Sequence, residues 1–258
     1  MPELLPIRPV PPMARDMDLT KNRMPSTGML TGETITLAYD HGEELTCEFG
    51  SDRLRWRTKD GQSGEDPYDA VELRPDIFFL HHASEGAGIG RSHVIDRTRG
   101  RAATAWDDAS GPVLRRFVHA ARAADHGGPY VPIAETRELI GRRAYCQYSD
   151  EAALEHVYVN SAAIVWQWLL LPDDPRFDVL KAEVGMEAVS MRKVGDDLFF
   201  LALNDGGPVG LTLLMDFGQK RNVGMLFGRT QTGLLSRPVG ADIVLLNDMQ
   251  YPPGIGPG

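Results

Sequence analysis

The segment Asp76-Ile77-Phe78-Phe79-Leu80 recurs later in the chain as Asp197-Leu198-Phe199-Phe200-Leu201. Leu30-Thr31-Gly32 returns as Leu139-Ile140-Gly141. Tyr39 and Leu45 correspond to Tyr148 and Leu154 at the same offset, and Asp96 corresponds to Asp216. Matches kept in order over this length describe an internal duplication, and a repeated unit decides the fold before any single element does. The 258 residues leave room for two domains of about 130 each.

Each half is written in strands. Thr34-Ile35-Thr36-Leu37-Ala38-Tyr39 alternates, Asp40-His41-Gly42 turns the chain, and Glu44-Leu45-Thr46-Cys47-Glu48-Phe49 answers it. Leu54–Arg57, Ile77–His82, Ser92–Ile95 and Ala102–Trp106 continue the pattern. Short alternating runs between turn signals describe an antiparallel meander. Closing a meander into a small barrel removes its two exposed edges, and such barrels are either filled by their own side chains or hold one small ligand. Val113, Leu114, Phe117, Val118 and Ala121 fall on one helical stripe that Gly127-Gly128-Pro129 ends, which predicts a linker helix. The expected fold class is all-β, a tandem pair of homologous antiparallel barrels joined by that helix. The boundaries are a Pro-rich extended arm at 1–28, barrels at 29–111 and 134–250, the helix within 112–133, and a tail at 251–258.

Composition removes several classes of function. Lys plus Arg total 27 against 36 Asp plus Glu, a net charge of −9, whereas a duplex-binding face needs clustered cations. The short basic runs Arg53-Leu54-Arg55-Trp56-Arg57 and Arg97-Thr98-Arg99-Gly100-Arg101 sit beside acidic residues, so no nucleic-acid partner is expected. The apolar run Ala162–Leu171, broken by Gln167, is shorter than the roughly 18 residues of a membrane span. The N-terminus lacks the charge and apolar pattern of a signal peptide, and Cys47 and Cys146 are too few for a disulfide scaffold. A cytoplasmic chain with reduced cysteines is expected. A homodimer is compatible with this composition.

The motifs Leu37-Ala38-Tyr39-Asp40-His41-Gly42 and Tyr68-Asp69-Ala70-Val71-Glu72-Leu73-Arg74-Pro75 resemble the N-terminal domain of the molybdenum cofactor biosynthesis protein F (MoaF) family. Glu155-His156-Val157-Tyr158-Val159-Asn160, Phe227-Gly228 and Pro238-Val239-Gly240-Ala241 resemble its C-terminal domain. The resemblance runs from about 30 to 247. It implies two lipocalin-like (calycin) barrels and a place near calycin-type decarboxylases and pathway cyclases. The chain departs from the family pattern where Trp166-Gln167 replaces a Trp-His pair and where Phe199-Phe200-Leu201 runs on into Ala202-Leu203.

The residue types that could carry chemistry lie mostly in the second half. Alternation puts His156 and Tyr158 on one strand face, where an imidazole and a phenol could polarise a carbonyl or move a proton. They are the expected catalytic pair, with a structural hydrogen-bonded pair as the alternative. Trp166 and Trp168 share a face and could wall an apolar ligand, or simply pack the core. Tyr145 completes that expected pocket, and Trp56, Tyr68 and His81 are its counterparts in the first half. His82 and His93 belong to the same set. Adjacent His81 and His82 must face opposite ways, and the chain contains no His-x-His, His-x-x-x-His or Cys-x-x-Cys, so no metal is expected. Gly86-Ala87-Gly88-Ile89-Gly90 is followed by a strand rather than a helix, which reads as a hairpin loop and not a dinucleotide site.

The expected function is a cofactor-independent enzyme that cyclises, isomerises or otherwise rearranges a small apolar organic substrate inside one barrel. The alternative is a small-molecule-binding or accessory protein in molybdenum cofactor metabolism, as the family name implies.

Overall fold

In the computed structural model, residues 16–124, 126–204 and 206–252 are described. The first half forms β1 (Thr34–Tyr39), β2 (Glu44–Phe49), β3 (Arg53–Thr58), β4 (Ser63–Arg74), β5 (Ile77–Ser84), β6 (Ile89–Asp96), β7 (Arg101–Asp108) and β8 (Arg115–Ala123). The second forms β9 (Arg142–Gln147), β10 (Ala153–Tyr158), β11 (Ala163–Leu170), a short 3-10 helix (Pro175–Leu180), β12 (Val184–Gly195), β13 (Leu198–Asn204), β14 (Val209–Asp216), β15 (Arg221–Thr230) and β16 (Gly233–Asp248). Each set closes into an eight-stranded antiparallel barrel, β1 pairing with β8 and β9 with β16.

The repeated motifs fall at equivalent places. Asp76 and Asp197 end the β4–β5 and β12–β13 turns with φ of 59° and 54°, a left-handed conformation that Asp tolerates better than most residues. Gly32 and Gly141 adopt φ of 85° and 93° ahead of β1 and β9. Asp96 and Asp216 close β6 and β14 as fully buried carboxylates.

The shared Phe-Phe-Leu motif is buried on both faces because it has two jobs. Phe78 and Leu80 point into the first barrel, while Ile77, Phe79 and Ala83 pack against Leu198, Phe200 and Ala202 of β13 and Val223, Met225 and Phe227 of β15. Phe199, Leu201 and Leu203 fill the second lumen. The barrels therefore sit back to back through equivalent strands. At Gly90 on β6, within the glycine-rich hairpin, an added Cβ would lie 2.8 Å from the Phe227 ring, so the close approach of the barrels requires a glycine there. Polar groups tie the same seam. Arg116 spans Asp107 and the Leu203 and Leu211 carbonyls, Arg229 donates to Ala109 O, and Arg74 of β4 reaches Asp216 at 2.5 and 2.7 Å.

The expected linker helix is corrected. Residues 115–123 are β8, paired along β7 from Asp108↔Arg115 to Arg101↔Arg122 and with β1 at Leu37–Tyr39, and the first barrel extends to Ala123 rather than 111. An Ala- and Arg-rich stretch with a helical stripe suits a helix locally, but leaving β1 and β7 unpaired would expose two sheet edges. Sheet closure overrides the local preference.

Of the expected N-terminal arm, residues 1–15 lie outside the described residues. The rest lies along both barrels. Met17 and Leu19 join the core of the second barrel, Asn22 N–H donates to Tyr148 O, and Thr27 N–H donates to Ala70 O of β4. Of the expected tail, residues 253–258 lie outside the described residues. Among the described residues no helix is long and apolar enough to cross a membrane.

Replacing Arg74 by Met should leave the Asp216 carboxylate buried with only backbone donation from Gln219, and should cost roughly 3 kcal/mol on the scale of a broken buried pair. Urea denaturation followed by near-UV signal checks this. A loss under 1 kcal/mol, of the size typical for a surface ion pair, would mean that the seam does not depend on this contact.

Candidate functional site

The second lumen holds His156, Tyr158, Trp166 and Trp168 together. His156 and Tyr158 meet edge to face at 6.1 Å between ring centroids, and both are 1% exposed. Trp166 stands opposite His156 in the β10–β11 register and Trp168 opposite Leu154. The Tyr158 hydroxyl donates to the Met215 sulfur at 3.0 Å, and the Trp166 indole donates to Glu187 at 2.8 Å. His156 Nδ1 has no partner. Tyr145 is not part of this group. It stands opposite Glu155 on the outer face, where Arg143 and Gln167 hold the Glu155 carboxylate. Trp168 Nε1 and the Nδ2 of buried Asn222 are also without partners, while Met191, Met215 and Leu201 are among the apolar filling and Met17, Leu19, Phe177 and Leu180 complete the core.

In the first barrel, His81 faces away from the lumen. Its ring lies between the barrels, 2.9 Å from Ser92 Oγ, 3.2 Å from Ser236 Oγ and against Phe227. Tyr68 donates to Gly50 O at the end of the barrel carrying the β2–β3 turn. Trp56 does reach the lumen, where it belongs to a polar cluster at the opposite end. Two surface depressions of about 350 and 420 Å³, at Met186–Ala188 and at Glu48–Arg55, lie outside both lumens.

Asp66 is the hub of that cluster. It accepts from the Trp56 indole at 2.7 Å, from Ser84 Oγ at 2.9 Å and from His82 Nδ1 at 2.9 Å. Burial alone would raise its carboxyl, but the hydrogen bonds from His82, Ser84 and Trp56 hold it below the usual carboxylate range. Burial keeps His82 neutral despite Asp66, so Nδ1–H donates and Nε2 presents a lone pair. His93 stacks parallel to His82 at 5.4 Å, and its Nδ1 meets Thr104 Oγ1, which meets the Tyr39 hydroxyl. Arg91 extends from β6 between two indoles, its guanidinium carbon 4.4 Å from the Trp56 ring centroid and 4.5 Å from that of Trp106. Such stacking is favourable for a desolvated cation, though it leaves the N–H groups unmet.

Five polar atoms of this lumen have no partner: Nε and Nη1 of Arg91, Nε2 of His82, Nε2 of His93 and Nε1 of Trp106. Arg91 is 4% exposed, and both histidines are fully buried. Asp66, Arg91 and Trp106 are the members that strand alternation alone does not single out as a site. Their phase was nonetheless available: Arg91, His93 and Ile95 share one face of β6, as Asp66, Tyr68 and Ala70 do of β4.

Burial pushes His81 down to about 3 and His156 down to about 4 from an ordinary 6.5. Between about 6.5 and those folded values the unfolded chain binds more protons than the folded one, so stability is full above 6.5 and falls with pH. Each histidine should cost about 2 kcal/mol at pH 5 relative to pH 7.5. Urea midpoints at the two pH values check this, and His156→Phe should shrink the drop. An unchanged drop would remove His156 from the acid response.

Comparison with known proteins places the chain. Residues 9–107 match the model of the MoaF N-terminal domain and residues 133–249 that of the MoaF C-terminal domain. Protein MoaF of Klebsiella aerogenes is 26% identical over 251 residues, 88% of this chain and 90% of that protein. Among solved structures, a proposed beta-lactamase from Burkholderia vietnamiensis aligns with 44% of this chain and all of its own at 10% identity and a TM-score of 0.36. The DNA polymerase III β subunit of Thermotoga maritima covers 88% of this chain and 80% of its own at 9% identity and a TM-score of 0.14. Likenesses that low bear on neither fold nor chemistry. The two domain matches follow the two barrels in order, and the chain belongs to the MoaF family.

Proposed function

We propose that this chain is a small-molecule-binding accessory protein, connected through its family with molybdenum cofactor metabolism, and that its ligand site is the lumen of the first barrel. The observation that carries the reading is the group of four unpartnered polar atoms on Arg91, His82 and His93, buried in one place. Leaving a buried donor or acceptor unmet costs about 1–3 kcal/mol each, so several together point to a partner that arrives from outside. The second lumen offers less, since its unpartnered atoms, on His156, Trp168 and Asn222, belong to uncharged groups and its core is completed by Met17, Leu19, Phe177 and Leu180.

A second reading, a cofactor-free enzyme of rearrangement, draws on the Asp66–His82 pair. A carboxylate that fixes one imidazole nitrogen as a donor leaves the other as a base of set orientation. Re-isolation of a bound molecule after incubation separates the two readings: recovery unchanged supports binding alone, and recovery as an isomer supports the enzyme.

The site itself is tested by thermal shift against pterin intermediates and small aromatic molecules. A ligand at 100 times its Kd should stabilise by about 2.7 kcal/mol, which is roughly 5 °C or more for a chain of this size. Trp106→Ala should abolish the shift and Trp168→Ala should retain it. The reverse pattern would move the site to the second barrel.

A further inference from the structure

The Arg91 guanidinium has no carboxylate in direct contact, and the charge of Asp66 reaches it only from farther across the lumen. The guanidinium forms no ion pair with any described residue, and it is almost wholly withdrawn from water. The nearby carboxylate, Asp66, already accepts from Trp56, His82 and Ser84. The neighbouring imidazoles supply no negative charge in either protonation state. A bridging water could satisfy one N–H, but two guanidinium N–H groups and two imidazole nitrogens stand unmet together, and buried polar groups left unmet are costly. The indoles of Trp56 and Trp106 hold the guanidinium as a slab between two flat faces. A carboxylate pairing in the guanidinium plane extends that slab, so whatever is attached to it also lies along the indoles. Flat, conjugated groups fit such a space better than branched ones.

We propose that the first lumen takes a small, flat organic anion whose carboxylate or enolate oxygens pair with Arg91, with His82 Nε2 and His93 Nε2 as the neighbouring polar contacts. This rests on the reading of that lumen as the ligand site and adds the charge and shape of the ligand. His82, held as a donor to Asp66, presents a lone pair on Nε2 that suits a hydroxyl or N–H on the ligand's edge. The recognised class is therefore a planar acid carrying a further donor group.

Isothermal titration of the full chain with benzoate, and with its neutral isostere benzamide, tests the proposal. Benzoate should bind about tenfold or more tightly than benzamide, the margin of a charge-assisted contact. Arg91→Met keeps an unbranched apolar stem between the indoles and removes the charge. It should cost benzoate about tenfold in affinity while leaving benzamide within about twofold. The same variant should melt at or above the wild-type temperature without ligand, because it deletes a desolvated guanidinium with unmet N–H groups. A fall in melting temperature would instead make Arg91 a structural residue and would overturn the proposal. Equal binding of benzoate and benzamide to the wild-type chain would overturn the anion assignment while leaving the lumen a ligand site. Failure of both probes to bind, with no thermal shift from any screened molecule, would overturn the site and the anion together. The wild-type comparison requires no variant to fold.

Discussion

Burial of the central strands on both faces is the constraint from which the rest of this molecule follows. β5 and β13, with their neighbours, must fill a lumen with one set of alternate residues and meet the other barrel with the other set. A strand under that demand loses the usual alternation of polar and apolar residues and becomes a continuous apolar run, as in Ile77-Phe78-Phe79-Leu80. The seam also dictates where small residues stand. Gly90 meets Phe227, and the run of Ala102, Ala103 and Ala105 on β7 keeps that strand slim on both sides. The ion pairs of the seam have little freedom either, because Arg74, Arg101 and Arg116 each bond an acidic side chain and a backbone carbonyl at the edge of an apolar contact.

The two barrels share one topology and contain different chemistry. The lumen of the second is a nearly continuous apolar core, completed by the N-terminal segment and the 3-10 helix. The first is apolar at one end, with Ile35, Phe49 and Leu54, and polar at the other, with Asp66, His82 and Arg91. Duplication explains how both conditions coexist. One copy contributes stability through its filled interior and a large shared face, and the other can then carry unmet polar groups whose cost a small isolated barrel would struggle to bear.

Strand periodicity and the internal repeat made the architecture readable from the residues, since both survive wherever a face must be buried. The pairing of Asp76 with Asp197 was legible for the same reason, being fixed by turn geometry that few residues tolerate. β8 was not readable, because its Ala- and Arg-rich sequence favours a helix locally and only the pairing with β1 and β7 makes it a strand. The candidate site was half legible. Trp56, His82 and His93 announce themselves by residue type, but Arg91 reads as an ordinary surface charge until Trp106 and Trp56 are seen to enclose it. His81 and His82 show the limit most clearly. Alternation says that they diverge, and only the packing of the second barrel says which of them faces the lumen.

The course of the N-terminal segment has a consequence for the order of assembly. Residues 17–22 are made well before the groups that receive them, which lie far along the chain at Tyr148 O and at the Gly240 N–H that bonds Leu19 O. That segment must therefore wait, unpartnered, until nearly the whole chain has been synthesised. Contacts spanning so much sequence form late and slowly. Met17 and Leu19 would then act as the latch of a finished molecule, entering the second core only after β16 is laid down and fixing both barrels in a single cooperative unit.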